Sequence, residues 1–243
     1  MAIDLTDKSG NGNTLTNNGA IEVITALPFT TSTRAIDLES TESDHLSIID
    51  ANQTGLDFST TFTIEFWVKS ESQPETNTIR YLIGKDGISD NRGYGLFYRD
   101  ISGTKYIDAN VFDSLVNSDQ YRWPVTLTDA TWVHIALTCN TGNVSATTFE
   151  LFINGVSQGN GSGVVGHDIA TINNTVGALT IGTTGENTLY FDGQLDDIRL
   201  WNDVRTSTEI STNKSRLLTG AESNLVAYWP FEALPSSGFL AFM

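Results

Sequence analysis

Cysteine pairs, basic charge, helix-forming stretches and long apolar runs are all scarce in this sequence, and each shortage closes off a class of protein. Cys139 is the only cysteine among 243 residues, so neither an internal disulfide nor a cysteine zinc cluster can form. It lies in the apolar run Trp132–Cys139 and reads as a buried hydrophobe. Thirteen Lys and Arg stand against 29 Asp and Glu, a formal charge of −16, which repels the phosphates of nucleic acid and anionic lipid. Nucleic acid is therefore not expected as a partner. Membrane insertion is not expected either, since nowhere do about 18 apolar residues run together to form a spanning helix. The opening, MAIDLTDKSGNGN, has no basic segment followed by an apolar stretch, so no Sec signal peptide is visible. Two expectations follow for where the chain works. Either it is an excised piece of a larger exported, extracellular protein, or it leaves the cell by another route, for instance on a virion surface.

What is abundant is Gly, Thr, Ser and Asn, with only 17% of residues charged, a composition that favours short strands joined by turns. Apolar residues alternate with period two in Phe62–Lys69, where Phe62, Ile64, Phe66 and Val68 share one face. The same pattern puts Val133, Ile135 and Leu137 inward. It also gives Phe149, Leu151 and Ile153 one face before an Asn154-Gly155 hairpin turn. Further strands are expected at Ala35–Leu38, His45–Ile49, Tyr81–Lys85, Gly95–Tyr98, Tyr106–Phe112, Leu179–Gly182, Leu195–Trp201 and Leu225–Phe231. One helix is expected, Thr206–Leu217, capped by Thr206 or Ser207 with Glu209 in its first turn. No stretch between strands is long enough for repeated parallel crossovers, so the expectation is an all-β antiparallel sandwich. Asn154–Thr175 reads as a long loop, and the SDQYRWP segment as irregular. No repeat or composition break appears, so one domain, residues 1–234, is expected, followed by a short tail, 235–243.

Seven segments, in order, resemble the laminin-G-like, pentraxin-like domains of the concanavalin A-like lectin/glucanase superfamily. They are DKSGNGNTLT (7–16), RAIDLESTESDHLSI (34–48), FTIEFWVKSE (62–71), ATWVHIALT (130–138), FELFINGVSQG (149–159), FDGQLDDIRLWNDVRT (191–206) and LVAYWPFE (225–232). The resemblance implies a concanavalin A-like jelly roll, a calcium ion near the N-terminal loop, and a surface glycan or other exposed polymer as partner. It also leaves room for a spacer or decoration role alongside other copies or virion or adhesin components, because this scaffold serves many functions. In many such modules an apolar-aromatic strand precedes the DxSGNGN loop, whereas here the only copy is Leu225–Phe231. That strand is expected to return beside the start of the chain and bring the termini together.

Four constellations could carry chemistry. Asp7, Ser9, Asn11 and Asn13 place oxygens at alternate positions of a glycine-containing loop, as at the opening of a calcium loop, but Asn18 stands where an EF-hand needs its closing Glu. Asp196 or Asp197 would supply a further ligand: if Ile198 and Leu200 face the core, Asp196 shares their side, and a buried carboxylate needs a cation or several donors. The other reading makes Asp7 an Asx-turn and Asp196 a cap for backbone amides. The loop carrying Asp86, Asp90 and Asn91 is a candidate contact for sugar hydroxyls, or an ordinary solvated turn. Tyr121 and Trp123 are candidates to stack on a pyranose ring, whereas Trp67 and Trp132 read as a second small core on the outer face. Catalysis is not expected. Phe62–Lys69 offers only Glu65, where glycosidases of the superfamily carry E-x-D-x-E to set two carboxylates about 5 Å apart. His45, His134 and His167 lie in unrelated contexts, and the G-x-G-x-x-G at 161–166 is not followed by a helix that could hold a pyrophosphate.

Overall fold

The computed structural model describes residues 3–87, 92–113, 117–142, 147–166 and 169–232. In chain order the strands are β1 (Thr16–Asn18), β2 (Ile21–Val23), β3 (Ala35–Leu38), β4 (His45–Ile48), β5 (Thr61–Ser70), β6 (Ile79–Asp86), β7 (Arg92–Ile101) and β8 (Thr104–Phe112). They continue with β9 (Ser118–Pro124), β10 (Val133–Asn140), β11 (Thr148–Ile153), β12 (Val156–Ser157), β13 (Ser162–Val165), β14 (Leu179–Ile181) and β15 (Gly193–Trp201). Helix α1 (Ser207–Asn213) and β16 (Leu225–Trp229) complete the set. Two eight-stranded sheets form: sheet one in the order β1-β4-β14-β6-β7-β8-β9-β13, and sheet two in the order β12-β11-β10-β5-β15-β3-β2, with β16 also paired to β15. Neighbouring strands run antiparallel, and the sheets face each other across a single apolar core. This is the antiparallel sandwich that the alternation and the resemblance imply.

Alternation explains the core. Phe62, Ile64, Phe66 and Val68 of β5 and Ile135 and Leu137 of β10 enter it, opposed by Tyr94, Leu96 and Tyr98 of β7 and Ile107, Ala109 and Val111 of β8. Asn154 and Gly155 both take positive φ, 53° and 80°, and close the β11–β12 hairpin as an Asn-Gly turn requires. The helix begins where expected, with a capping box between Thr206 and Glu209, but ends at Asn213. The C-terminal strand does return to the start: the Asp4 amide donates to the Phe231 carbonyl at 3.2 Å and the Lys8 amide to that of Tyr228 at 2.9 Å.

Two expectations change. The polar loop 154–175 contains β12 and β13, and β13 adds an edge to sheet one beside β9. SDQYRWP is itself β9, with Asp119, Tyr121 and Trp123 toward the interior and Gln120 and Arg122 away from it; a terminal Pro and polar alternate residues disguise the period. Sheet two is also covered on its outer side. The segment following β15, with α1, folds over it and buries a second apolar layer that includes Trp201, Leu218 and Tyr228. The tail 235–243 and His167 lie outside the described residues. Among those described, no helix is long and apolar enough to cross a membrane.

Candidate functional site

The outer face of sheet one is built from the alternate residues that the core leaves over. On β6 and β7 the register brings Tyr81 opposite Phe97, and their rings stack with centroids 5.6 Å apart and planes 16° apart. Room for the Tyr81 ring comes from Gly95: a Cβ there would lie 1.7 Å from the phenolic oxygen. The Tyr81 hydroxyl donates to Asp86 Oδ2 at 2.8 Å. Asp86 Oδ1 accepts from Arg92 Nε at 2.9 Å, and the Arg92 guanidinium lies 3.8 Å over the Phe112 ring. Burial, with Asp86 beside it, pushes the Tyr81 phenol well above its usual range, so it remains a neutral donor.

Beside this floor the 184–189 hairpin forms a wall. It is tied to both ends of β6: the Gly185 amide donates to the Asp86 carbonyl at 3.1 Å, and the Tyr81 amide to that of Leu189 at 2.8 Å. Between wall and floor lies a cavity of about 410 Å³, within the range of small-ligand sites. Tyr81, Phe97 and Ile79 give it an apolar base; Asp86, Arg92, Asn110, Thr184 and Thr188 give it polar sides. Asn110 is the informative member. Only 7% exposed, it donates to Asp86 at 3.4 Å, yet its Oδ1 is enclosed with no partner. A buried acceptor left open costs on the order of 1–3 kcal/mol, which a ligand hydroxyl would recover.

Farther along the same face, Arg122 grips Asp108 through Nε at 2.8 Å and Nη2 at 2.6 Å, and Gln120 adds a bond at 2.9 Å. Arg122 also lies 5.2 Å over the Tyr106 ring. Asp86 and Asp108 are thus each held by an arginine, and neither stands as a free acid.

The residues singled out in the sequence fall in several places. Asp86 lines the cavity. Asp90 and Asn91, from the same loop, lie outside the described residues. Trp123 does not reach the face: it is 2% exposed in the core, its Nε1 donating to the Gly159 carbonyl at 2.9 Å. Tyr121 packs beside it on the interior side, its ring 5.3 Å from Phe149 and its hydroxyl bonded to the Thr147 carbonyl at 3.0 Å. Strand β9 turns both inward, away from the face on which stacking against a sugar ring is expected. Trp67 is buried on the outer face of sheet two against Phe29 and His134, and Trp132 donates to the Ala26 carbonyl.

The metal candidates do not converge. Asp7 accepts from the Ser9 and Tyr228 amides through Oδ1, and from the Asn13 amide and the Ser9 hydroxyl through Oδ2, all between 2.8 and 3.0 Å. Asn13 bonds Thr54 and Val226, and Asn11 donates to the Leu225 and Val226 carbonyls. The loop is therefore a clamp over β16, both Asp7 oxygens and the Asn13 Oδ1 being taken by N–H and O–H donors, and does not fit a cation as it stands. Asp196 lies elsewhere. A bulge at Asp197, whose φ is 53°, shifts the register between Asp196 and Arg199 and reverses the parity on which a core-facing Asp196 was expected. Asp196 instead sits opposite Trp67 on the outer face, where Ser32 donates to it at 2.6 Å. Burial, then the neighbouring Asp197 and Glu232, raise its carboxyl well above the usual range. Asp197 pairs with Arg199, deep beneath the covering segment. Among the described residues, the grouping of three acids is Asp37, Glu39 and Glu71, with oxygens within 4.8 Å of one another.

Known proteins share this architecture. A laminin-G family model, described as the concanavalin A-like lectin/glucanases superfamily, matches residues 40–211. No curated protein matches the chain. Among solved structures, a Bacteroides ovatus protein described as carbohydrate-binding is 18% identical, with a TM-score of 0.59 over 81% of this chain and 50% of its own. The binding domain of botulinum neurotoxin serotype G is 15% identical, with a TM-score of 0.62 over 85% and 47%. This chain thus spans about half the length of either. Domain 4 of an extracellular arabinanase from Geobacillus stearothermophilus, solved with arabinotriose, is 17% identical, with a TM-score of 0.57 over 86% and 92%.

Proposed function

Because the chain belongs to the laminin-G branch of the concanavalin A-like lectin/glucanases superfamily, we propose that it is a non-catalytic module that binds a surface glycan in the cavity on the outer face of sheet one. The observation that carries this reading is the enclosed, partnerless Asn110 Oδ1 in a cavity with an aromatic base and hydroxyl-bearing sides. A sugar presents C–H faces and hydroxyls together, so it matches a site in which apolar contact gives affinity and a few fixed polar groups give orientation. The likeness to carbohydrate-binding structures adds support at the level of the scaffold.

The absence of catalysis in this reading rests on charge. Hydrolysis of a glycosidic bond needs a carboxyl held protonated opposite a second carboxylate. On this face Asp86 is engaged by Arg92 and Asp108 by Arg122, so that Glu186 is the cavity-lining acid outside these arginine pairs, and one carboxyl cannot act as both acid and nucleophile. Glu65, the single acid on the strand that carries the superfamily's catalytic set, is buried on sheet two; although burial opposes ionisation, Arg199 and His134 hold it down at about 2.

A glycan array followed by titration calorimetry with the best hit tests the reading. Asn110→Ala is expected to weaken binding about tenfold, the effect of one lost hydrogen bond to a buried group, while the melting temperature moves little, since the single bond Asn110 makes is 3.4 Å long. Undiminished binding by this variant would remove the cavity from the account.

A further inference from the structure

We infer that Arg99, beside the cavity, receives the carboxylate of an acidic sugar unit, so that the face selects uronate- or sialate-bearing glycans over neutral ones. The inference rests on the glycan-binding reading above and adds the ligand class.

It begins with a count of partners around Asp108. This carboxylate is fully buried, and three N–H groups of Arg122 and Gln120 already occupy its oxygens at 2.6 to 2.9 Å. Arg99 approaches the same carboxylate, but its Nη1 remains 3.6 Å from Oδ2, an ion pair too long for a hydrogen bond. Its Nε is enclosed without any acceptor. Two guanidinium groups therefore share one negative charge, and the one with idle donors is Arg99. In a chain carrying −16, the cheapest fate for such a group would be a second acid, and none of the described acids takes it.

Position makes the surplus useful. Arg99 stands opposite Ile79 on β6 and Tyr106 on β8, and two residues beyond Phe97, about 7 Å along the same strand face. Ile79 and Phe97 both line the cavity. Its side chain keeps 23% of its surface open, and on the next strand Arg122 lies over the Tyr106 ring. A ligand seated on Phe97 and Tyr81 would thus pass its neighbouring unit over Ile79 and Tyr106 toward the part of the Arg99 guanidinium that stays open. A carboxylate there would accept the charge-assisted hydrogen bond that Asp108, already filled by Arg122 and Gln120, does not take. The overall negative charge opposes polyanions at long range, so the selection acts at contact distance on individual carboxylates.

The test is an array of matched oligosaccharide pairs that differ only in a carboxylate, hexose against hexuronate and asialo against sialylated, followed by calorimetry on the best pair. The wild-type chain is expected to favour the acidic member by about tenfold, the worth of a charge-assisted hydrogen bond. In Arg99→Gln the ratio of acidic to neutral affinity should fall toward one, and Arg99→Lys should recover part of it. Equal affinity for both members, or a preference that survives Arg99→Gln, overturns the inference and leaves the glycan reading standing. Binding to neither member of any pair overturns both.

Discussion

The outer faces of the two sheets carry the same kinds of side chain and meet opposite fates. On sheet two, Glu65, Trp67, His134, Arg199, Trp201 and Tyr228 alternate with the core residues of β5, β10, β15 and β16, and the 203–218 segment seals them in. Arg199 donates there to the Asn213 and Arg216 carbonyls as well as to Glu65 and Asp197, and Trp67 donates to the Lys214 carbonyl at 2.5 Å. On sheet one, Tyr81, Phe97, Arg99, Tyr106, Asp108 and Arg122 make a similar mixture, but the 184–189 hairpin only borders it. The difference lies in what takes the arginine donors. Where carbonyls of a covering segment take them, charge and aromatics become a second core; where no segment covers the face and Arg99 is left without a hydrogen-bonded acceptor, the same chemistry is left for a ligand.

That contrast breaks if the two arginines behave alike. Arg199→Ala removes one partner from a fully buried ion network and is expected to cost about 3–5 kcal/mol in denaturant unfolding, whereas Arg99→Ala should stay within about 0.5 kcal/mol. Comparable losses would mean that sheet one's outer face is also structural. A smaller effect sharpens the sealed side. The Asp196 carboxyl is raised from its usual 3.8 by burial, then by Asp197 and Glu232. Its contribution is therefore present at low pH and lost as pH rises through the elevated folded-state value. Asp196→Asn should melt higher than the wild-type chain, with the gap wider at pH 8 than at pH 5. A gap that closes as pH rises would show that Asp196 is stabilised as a carboxylate.

Most of the sandwich can be read from period-two alternation, because each strand with one apolar face declares its inward side: Phe62–Val68, Val133–Leu137 and Phe149–Ile153 all point as expected. What alternation cannot show is where it slips. A single left-handed residue, Asp197, moved Asp196 to the other side of its sheet, and a shift between Tyr81 and Ile83 sets Tyr81 outward while Leu82 and Ile83 both pack inward. The cavity was hidden for a different reason. Asp86 drew notice as an acid in a polar loop, but Tyr81, Phe97 and Asn110 look like ordinary strand residues until the register and the distant 184–189 hairpin bring them together. The Asp7 loop shows the reverse case: oxygen-rich spacing suits a cation, and the β16 backbone supplies N–H and carbonyl partners to the same side chains.

The central claim, that sheet one's outer face is the binding face, is tested most directly by mapping backbone amide shifts during titration with the best array hit. Perturbations concentrated on β6, β7, β8 and residues 184–189, with 203–218 unmoved, are the predicted result. Perturbations confined to the Asp7 clamp or to the segment over sheet two would contradict it.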